Sequence, residues 1–498
     1  MSRDLALRAL RTAQQLTVDL QNLINYWEEP DLESESSASS QSSSKSSASS
    51  QSSSQSSSSS TRITPVPTPT LEAPYPGFTP IGLGVDKTTR RTVFPTANAN
   101  EILSVGDSNG LAQAVQRAKS DLTIKRIRCT TTTPFAVPQG LFGGINRPAH
   151  NPLVIEGTAG TLTPLTVGLH HDKHRFSGLA LLNFSLGGIS ILADNQDLLI
   201  ECCTLWSNIQ GLRNADETAP QARNIQIRFC TARDHWTPTA SALCHGLFAY
   251  NVDHHLIQHC WLHHNGWTGT RATPSNQGGA IVRNHNVYVE KRMTNFVFDQ
   301  NVSSEPSSHG ITAKSGGHIT NNVFINCPIG FQPGYAGDGI FERQGYATAV
   351  VKGNVAFGSE DINTTEGNLR GVFGWLECLQ NSVVEDNIAC VNATSSANDA
   401  VFWIPRKVTH GPNVQVRNNR AYGWAGGIFF APGTFSTAGY NFQNNQLDLQ
   451  PSVALRGEAT RISHLVNYPS LWAEIQGSQR VGADPQWVAS KLSMARSG

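Results

Sequence analysis

One side-chain slot keeps returning along this sequence. It holds Asn or Cys at Asn183, Cys203, Cys230, Cys260, Asn301, Asn322, Asn354, Asn387, Asn419 and Asn445, at intervals of 20, 27, 30, 41, 21, 32, 33, 32 and 26 residues. Between returns, apolar and polar residues alternate in short runs with no helical period. A chain that revisits one slot at an irregular spacing is coiling past the same wall, so the pattern predicts a β-solenoid with loops of variable length thrown out from its turns. Asn stacked on Asn forms an amide ladder, and Cys fits the same buried slot as a small hydrophobe.

A second recurrence runs beside the first. HGLFAY (His245 to Tyr250) returns as HNVYVE (His285 to Glu290) and HGITAK (His309 to Lys314), each ahead of a ladder residue. Side chains alternate across a strand, and equivalent residues of successive coils stack about 4.8 Å apart. Leu247, Ala249, Val287, Val289, Ile311 and Ala313 are therefore assigned inward, and Phe248, Tyr250, Tyr288, Glu290, Thr312 and Lys314 outward on one wall.

The stretches VVEDNIACVNATSS (Val383 to Ser396), TNNVFINCPIGF (Thr320 to Phe331) and VRNNRAYGWAGGIFF (Val416 to Phe430) resemble the coils of pectate-lyase-like proteins. The resemblance implies an all-β fold, a right-handed parallel β-helix of about ten turns over roughly residues 121–450. That coil serves lyases, glycosidases, phage tailspikes and adhesins, so the fold does not by itself assign a function. HGITAKSGGHITNNVF (His309 to Phe324) further resembles alginate lyases and chondroitinase-B-like lyases, in which a Lys and an Arg on neighbouring coils face the groove. Lys314 carries over from that likeness, whereas Glu290 stands where the second basic residue is due.

The ends read differently. Residues 1–30 are an amphipathic segment with Leu16, Leu20, Leu23 and Trp27 on one face, interrupted by Arg3, Asp4, Arg8 and Arg11; it suits neither a secretory signal nor a bilayer span. Residues 31–80 are Ser-rich and then Pro/Thr-rich, a composition that builds no core and acts as a tether. An amphipathic segment beyond a tether suggests a partner, so self-association or attachment to a larger assembly is expected of residues 1–28. Residues 81–120 are a lead-in, with DSNGLAQAVQRA (Asp107 to Ala118) as a one-sided helix plugging the coil, and 451–498 a closing cap. The compartment stays open between extracellular, cell-surface and virion-associated.

Charge narrows the partners: 37 basic residues balance 37 acidic ones, which leaves no basic excess for nucleic acid. The nine cysteines are an odd count, and the ladder takes three of them as stacked thiols rather than disulfides. Adjacent Cys202 and Cys203 are assigned to opposite faces. The histidines of DHHLIQHCWLHHNGW (Asp253 to Trp267) would spread along a strand, so no metal site is assigned there.

The wall then offers the chemistry. Tyr250, Tyr288, Glu290 and Lys314 place phenol, carboxylate and amine together; His245, His285 and His309 head the repeats; Arg213 and Arg283 add positive charge; Trp375 and other later aromatics supply stacking faces. An ordinary exposed strand can carry the same mixture. The functional expectation is a polysaccharide lyase acting by β-elimination on an acidic glycan, with Lys314 or His285 as base, Tyr250 or Tyr288 as acid, and Arg213, Arg283 or a Ca²⁺ ion neutralising the uronate. The alternatives are a non-catalytic glycan-binding or structural β-helix such as a tailspike, adhesin or appendage component, and a glycoside hydrolase.

Overall fold

The computed structural model describes residues 70–448 apart from short stretches, chiefly 168–174, 192–194, 207–209, 215–220, 238–242, 275–278, 335–345, 358–361, 391–399, 405–412 and 431–438; residues 1–69 and 449–498, with what the sequence leads one to expect of them, lie outside the described residues.

Three long sheets follow the coil, every pairing within them is parallel, and the turns from Ile189 onward contribute strands to all three. The first sheet has thirteen strands, from Ile102–Val105 to Tyr440–Gln443; the second has twelve, from Phe135–Val137 to Gln446–Asp448; the third has nine, from Ile189–Ile191 to Gly426–Phe430. The chain is a parallel β-helix. It begins ahead of the plug: Ile102–Val105 pairs with Arg126–Cys129, and the helix Ser108–Ser120 lies between those two strands in sequence. Asp107 accepts from the Gly110 amide at 2.7 Å, an N-cap, and the helix buries Leu111, Ala114, Val115 and Ala118 against the core.

The corner between the first and second sheets carries the ladder. Asn322 donates to Asn354 Oδ1, Asn354 to Asn387 Oδ1, and Asn387 to Asn419 Oδ1, at 2.9 Å each. Each Asn also donates to a backbone carbonyl of the preceding coil, as Asn354 does to Ile319 O at 2.8 Å. The residue just before the slot takes the left-handed conformation in coil after coil: Cys202, Phe229, His259, Gln300, Asn321, Gly353, Asp386, Asn418 and Asn444 all have positive φ. That turns the chain sharply and aims the next side chain inward.

Two details of the ladder differ from the sequence reading. Asn183 is the left-handed residue of its corner, φ 60°, and Phe184 fills the slot, fully buried, so the amide ladder starts later than expected. Cys202 and Cys203 do part ways, but in the corner rather than on a strand: Cys203 is interior, and the Cys202 sulfur receives Arg91 Nη1 from outside. All eight described cysteines are free thiols. A second buried amide group, unforeseen, stiffens the corner leading to the third sheet, where Asn265 Nδ2 donates to Asn286 Oδ1 at 2.8 Å.

Across the first sheet lies an arm of three short antiparallel strands, Leu71–Glu72, Gly84–Asp86 and Thr92–Val93. Phe78 packs on Leu256 and Val297, and Ile81 on Val154, Ala180 and Leu199. Polar ties finish the attachment: buried Arg228 donates to Arg90 O at 2.6 Å, and Thr92 Oγ1 donates to Glu201 at 2.5 Å.

Candidate active site

The third sheet sets the wall in register. Phe248 pairs with Tyr288, Tyr288 with Thr312 and Thr312 with Gln332, and Trp375 pairs with Trp403 further on. Leu247, Ala249, Val287, Val289, Ile311 and Ala313 all lie in the core, as assigned. The strict two-residue period leaves the expected side chains on the other face.

That face is far less open than the sequence suggested. Tyr250 is 2% exposed and Thr312 2%, while Tyr288, Glu290 and Lys314 are half-buried. Tyr250 is thus enclosed, whereas Tyr288 keeps part of its surface exposed. At the centre, the Tyr288 hydroxyl donates to Glu290 Oε1 at 2.8 Å, Lys314 Nζ donates to the same oxygen at 2.5 Å, and the ammonium sits 4.7 Å from the Tyr288 ring centroid. An ammonium held in this ion pair is not a free base, and this carboxylate already has a cation beside it.

The histidines stack along the head of the wall. His245 and His285 are 5.4 Å apart between ring centroids, His285 and His309 4.5 Å, and His245 also stacks on Tyr288 at 4.7 Å. All three are buried. Burial holds His285 well below the usual imidazole range, with neighbouring His309, His245 and Lys314 adding to the depression, and brings His309 down to about 3. His285 and His309 are neutral near pH 7 and too weakly basic to be good proton acceptors, against the role expected of His285.

Of the flanking residues, Arg283 is exposed beside the His285 strand. The backbone of Arg213 pairs with Phe248, and its side chain lies outside the described residues. Phe373 and Phe402 are core, whereas Trp375 and Trp403 are partly exposed with ring centroids 5.8 Å apart, a ledge of two indoles.

Beside that ledge is a group the sequence reading missed. Glu377 is 4% exposed; it accepts from Trp375 Nε1 at 2.8 Å and from Gln332 Nε2 at 3.5 Å. Burial pushes its carboxyl up to about 8, against the smaller opposing effect of those two donors. It is therefore mostly a protonated acid at neutral pH. Gly334, at φ +87°, lets the coils close here, since a Cβ on it would stand 1.8 Å from Glu377 O.

The histidines of residues 253–267 take separate partners. His255 Nδ1 meets Ile225 O at 2.9 Å, His259 packs on Phe229, and His264 pairs with Asp234 at 3.2 Å. Among the described residues, no three His, Cys, Asp or Glu side chains gather as a metal-holding group, and none of the helices is long and apolar enough to cross a membrane.

No family model and no curated protein matches this chain. Solved structures do, distantly. A glycoside hydrolase is 10% identical with a TM-score of 0.29, covering 59% of this chain and 52% of its own. The tailspike protein of E. coli bacteriophage HK620, in complex with a hexasaccharide, is 12% identical with a TM-score of 0.40, covering 70% and 65%. The PL6 family alginate lyase AlyGC is 13% identical with a TM-score of 0.30, covering 70% and 51%. This chain thus spans about half to two-thirds of the length of these three proteins.

Proposed function

We propose that this protein is a carbohydrate-active β-helix protein, which takes an extended acidic glycan along the wall of the third sheet and cleaves it by β-elimination. The observation that carries the reading is the Tyr288–Glu290–Lys314 cluster, set in the same column of strands as the Trp375–Trp403 ledge. The ledge stacks sugar rings, and Lys314 and Arg283 offset the uronate charge. Tyr288 is the proton-transfer group: with Glu290 accepting its hydroxyl proton, the phenol oxygen takes the proton α to the carboxylate, the C–O bond to the departing sugar breaks, and a proton returns to the leaving oxygen. Tyr250 is too enclosed to share the task.

Spacing argues against hydrolysis by the two wall carboxyls. Glu290, Lys314, Gly334 and Glu377 occupy successive coils, which separates the two glutamates by about 14 Å along the axis, beyond the ~6.5–9.5 Å of an inverting pair. Glu377 is instead a neutral hydrogen-bond donor to a sugar on the indole ledge.

The test is a panel of acidic polysaccharides, read by the ultraviolet absorbance of the unsaturated product, with wild type and Tyr288→Phe. Product from wild type and none from a folded Tyr288→Phe supports the reading; equal product from both removes Tyr288 from the chemistry.

A non-catalytic glycan-binding role is the second reading. It is favoured by the mutual pairing of Tyr288, Glu290 and Lys314, which leaves the cluster satisfied without a ligand. The amphipathic segment and Ser-rich tether suit an appendage component attached through residues 1–28. Light scattering on the full chain and on a chain lacking residues 1–28 tests the attachment: an assembly that falls to monomer on deletion supports it.

A further inference from the structure

The arm does not lie flat along the whole first sheet. Where Glu72–Pro76 and Arg90 meet the corner after that sheet, a cavity of about 930 Å³ remains, floored by successive coils from Gln258 and Asp299 to Asn418 and Arg420. It is on a different side of the coil from the third-sheet wall and shares no residue with it. Its size is that of a small-molecule site.

Its lining selects a kind of ligand. Three acids, Glu72, Asp299 and Asp386, face three bases, Arg90, Lys352 and Arg420, so the formal charges cancel. Most of these charges are already matched. Glu72 pairs with Arg90, and Lys352 with Glu385 at 2.7 Å and Asp386 at 3.5 Å. Asp299 accepts from Thr320 at 2.7 Å, Gln258 at 3.0 Å and Gln300 at 3.1 Å. Neither an anion nor a cation finds a net opposite charge there. What the cavity offers beyond these charges is a set of neutral polar groups, the amides of Gln300 and Asn321, each with one donor already on Asp299 at 3.1 and 3.3 Å, and the amide of Asn418, with the Tyr75 ring at the arm side.

The corner backbone that carries those amides is regular. Gln300, Asn321, Gly353, Asp386 and Asn418 are the left-handed residues of five successive corners, φ between 53° and 67°. These corner positions recur at the coil spacing of about 4.8 Å, close to the advance of one pyranose ring in an extended glycan, with amides at the first, second and fifth of them. Carboxamides present a donor and an acceptor side by side, which matches vicinal hydroxyls.

We propose that this cavity is a second carbohydrate site, separate from the third-sheet wall, that binds a neutral oligosaccharide along the corner and beneath the arm. The proposal does not depend on the elimination reading.

The test is calorimetric titration of the full chain with maltohexaose, cellohexaose, xylohexaose and laminarihexaose. Asn321→Gly/Asn418→Gly removes two amides from positions whose positive φ glycine adopts freely, so the fold is kept; each single variant is measured too. At least one neutral oligosaccharide binds with an affinity insensitive to added salt. The double variant weakens it by about tenfold, the equivalent of two lost hydrogen bonds, while Trp375→Ala leaves it unchanged. No saturable binding at millimolar oligosaccharide overturns the proposal. So does binding that the double variant retains, or that Trp375→Ala abolishes, since the ligand then sits elsewhere.

Discussion

The ladder corner and the third-sheet wall belong to the same turns of one coil, yet they obey different rules. In the corner, one residue type repeats and each side chain satisfies the next, so Asn322, Asn354, Asn387 and Asn419 form one continuous buried chain of amides. On the wall, equivalent positions carry different chemistries, Phe248, Tyr288, Thr312, Gln332 and Trp375, and partners come from the neighbouring column, as Glu290 for Tyr288, as well as from the next coil, as Lys314 for Glu290. Repetition serves stability, and its interruption makes room for a site. The wall stores titratable groups in a buried setting, while the slots from Asn322 to Asn419 hold only neutral amides.

The largest expected difference is therefore in response to acid. On the wall, burial holds His309 at about 3 and His285 well below the usual range; elsewhere in the coil it holds His255 at about 4, His263 at about 3 and His259, beside the ladder, well below the usual range. A buried neutral His has a folded value below its unfolded one, so stability is full above about pH 6.5 and drains as pH falls towards 3. Denaturant melts should show stability dropping by several kcal/mol over that window. Replacing His309 with Gln should make the drop shallower, whereas an unchanged slope would mean that this imidazole is not buried neutral.

Next comes the corner. Asn354 accepts from Asn322 and donates to Ile319 O and Asn387, all out of water. Asn354→Ala strands those partners and opens a hole, at a cost of about 4 kcal/mol, independent of pH across the histidine window. A cost under about 1 kcal/mol would mean that the ladder is ornament.

Glu377 titrates in the opposite sense. Its folded value of about 8 lies above the model carboxyl value of 4.5, so the unfolded chain releases its proton first. Stability from this group is full below about pH 4.5 and is lost as pH rises through 8, at most roughly 5 kcal/mol in all. Glu377→Gln should flatten that alkaline decline while leaving the acid limb in place. A decline of the same slope in the variant would assign it to another group.

The smallest effect on the fold belongs to Tyr288. Tyr288 is half-buried and its hydroxyl donates to Glu290, so Tyr288→Phe should cost about 1 kcal/mol of stability. Its effect on turnover should exceed tenfold, and that split between fold and activity separates a working wall from a structural one.

Much of the coil was legible because its signals are local and repeated. The two-residue period sorted Leu247 and Val287 from Phe248 and Tyr288 without knowledge of loops, and one residue type marked the corner. The start of the ladder was misplaced by one residue at Asn183 because Asn is equally at home in the left-handed corner. The enclosure of Tyr250 could not be read, since alternation reports direction and not what lies beyond. Glu377 was hidden for a related reason: its partner Gln332 meets it, and its carboxyl is buried, only once the strand Val372–Trp375 settles beside Ile329–Pro333, across a loop whose length the sequence leaves unconstrained. The arm escaped because its strands are two or three residues long and its anchors, such as Arg228, lie more than a hundred residues away.

The most direct test of the wall as a glycan groove is a crystal structure of the chain with an acidic oligosaccharide. Sugar rings should lie over Trp375 and Trp403, with a uronate carboxylate near Lys314 and the Tyr288 hydroxyl within hydrogen-bonding reach of the carbon that loses its proton. A ligand ordered elsewhere on the coil, with this wall bare, would contradict the account.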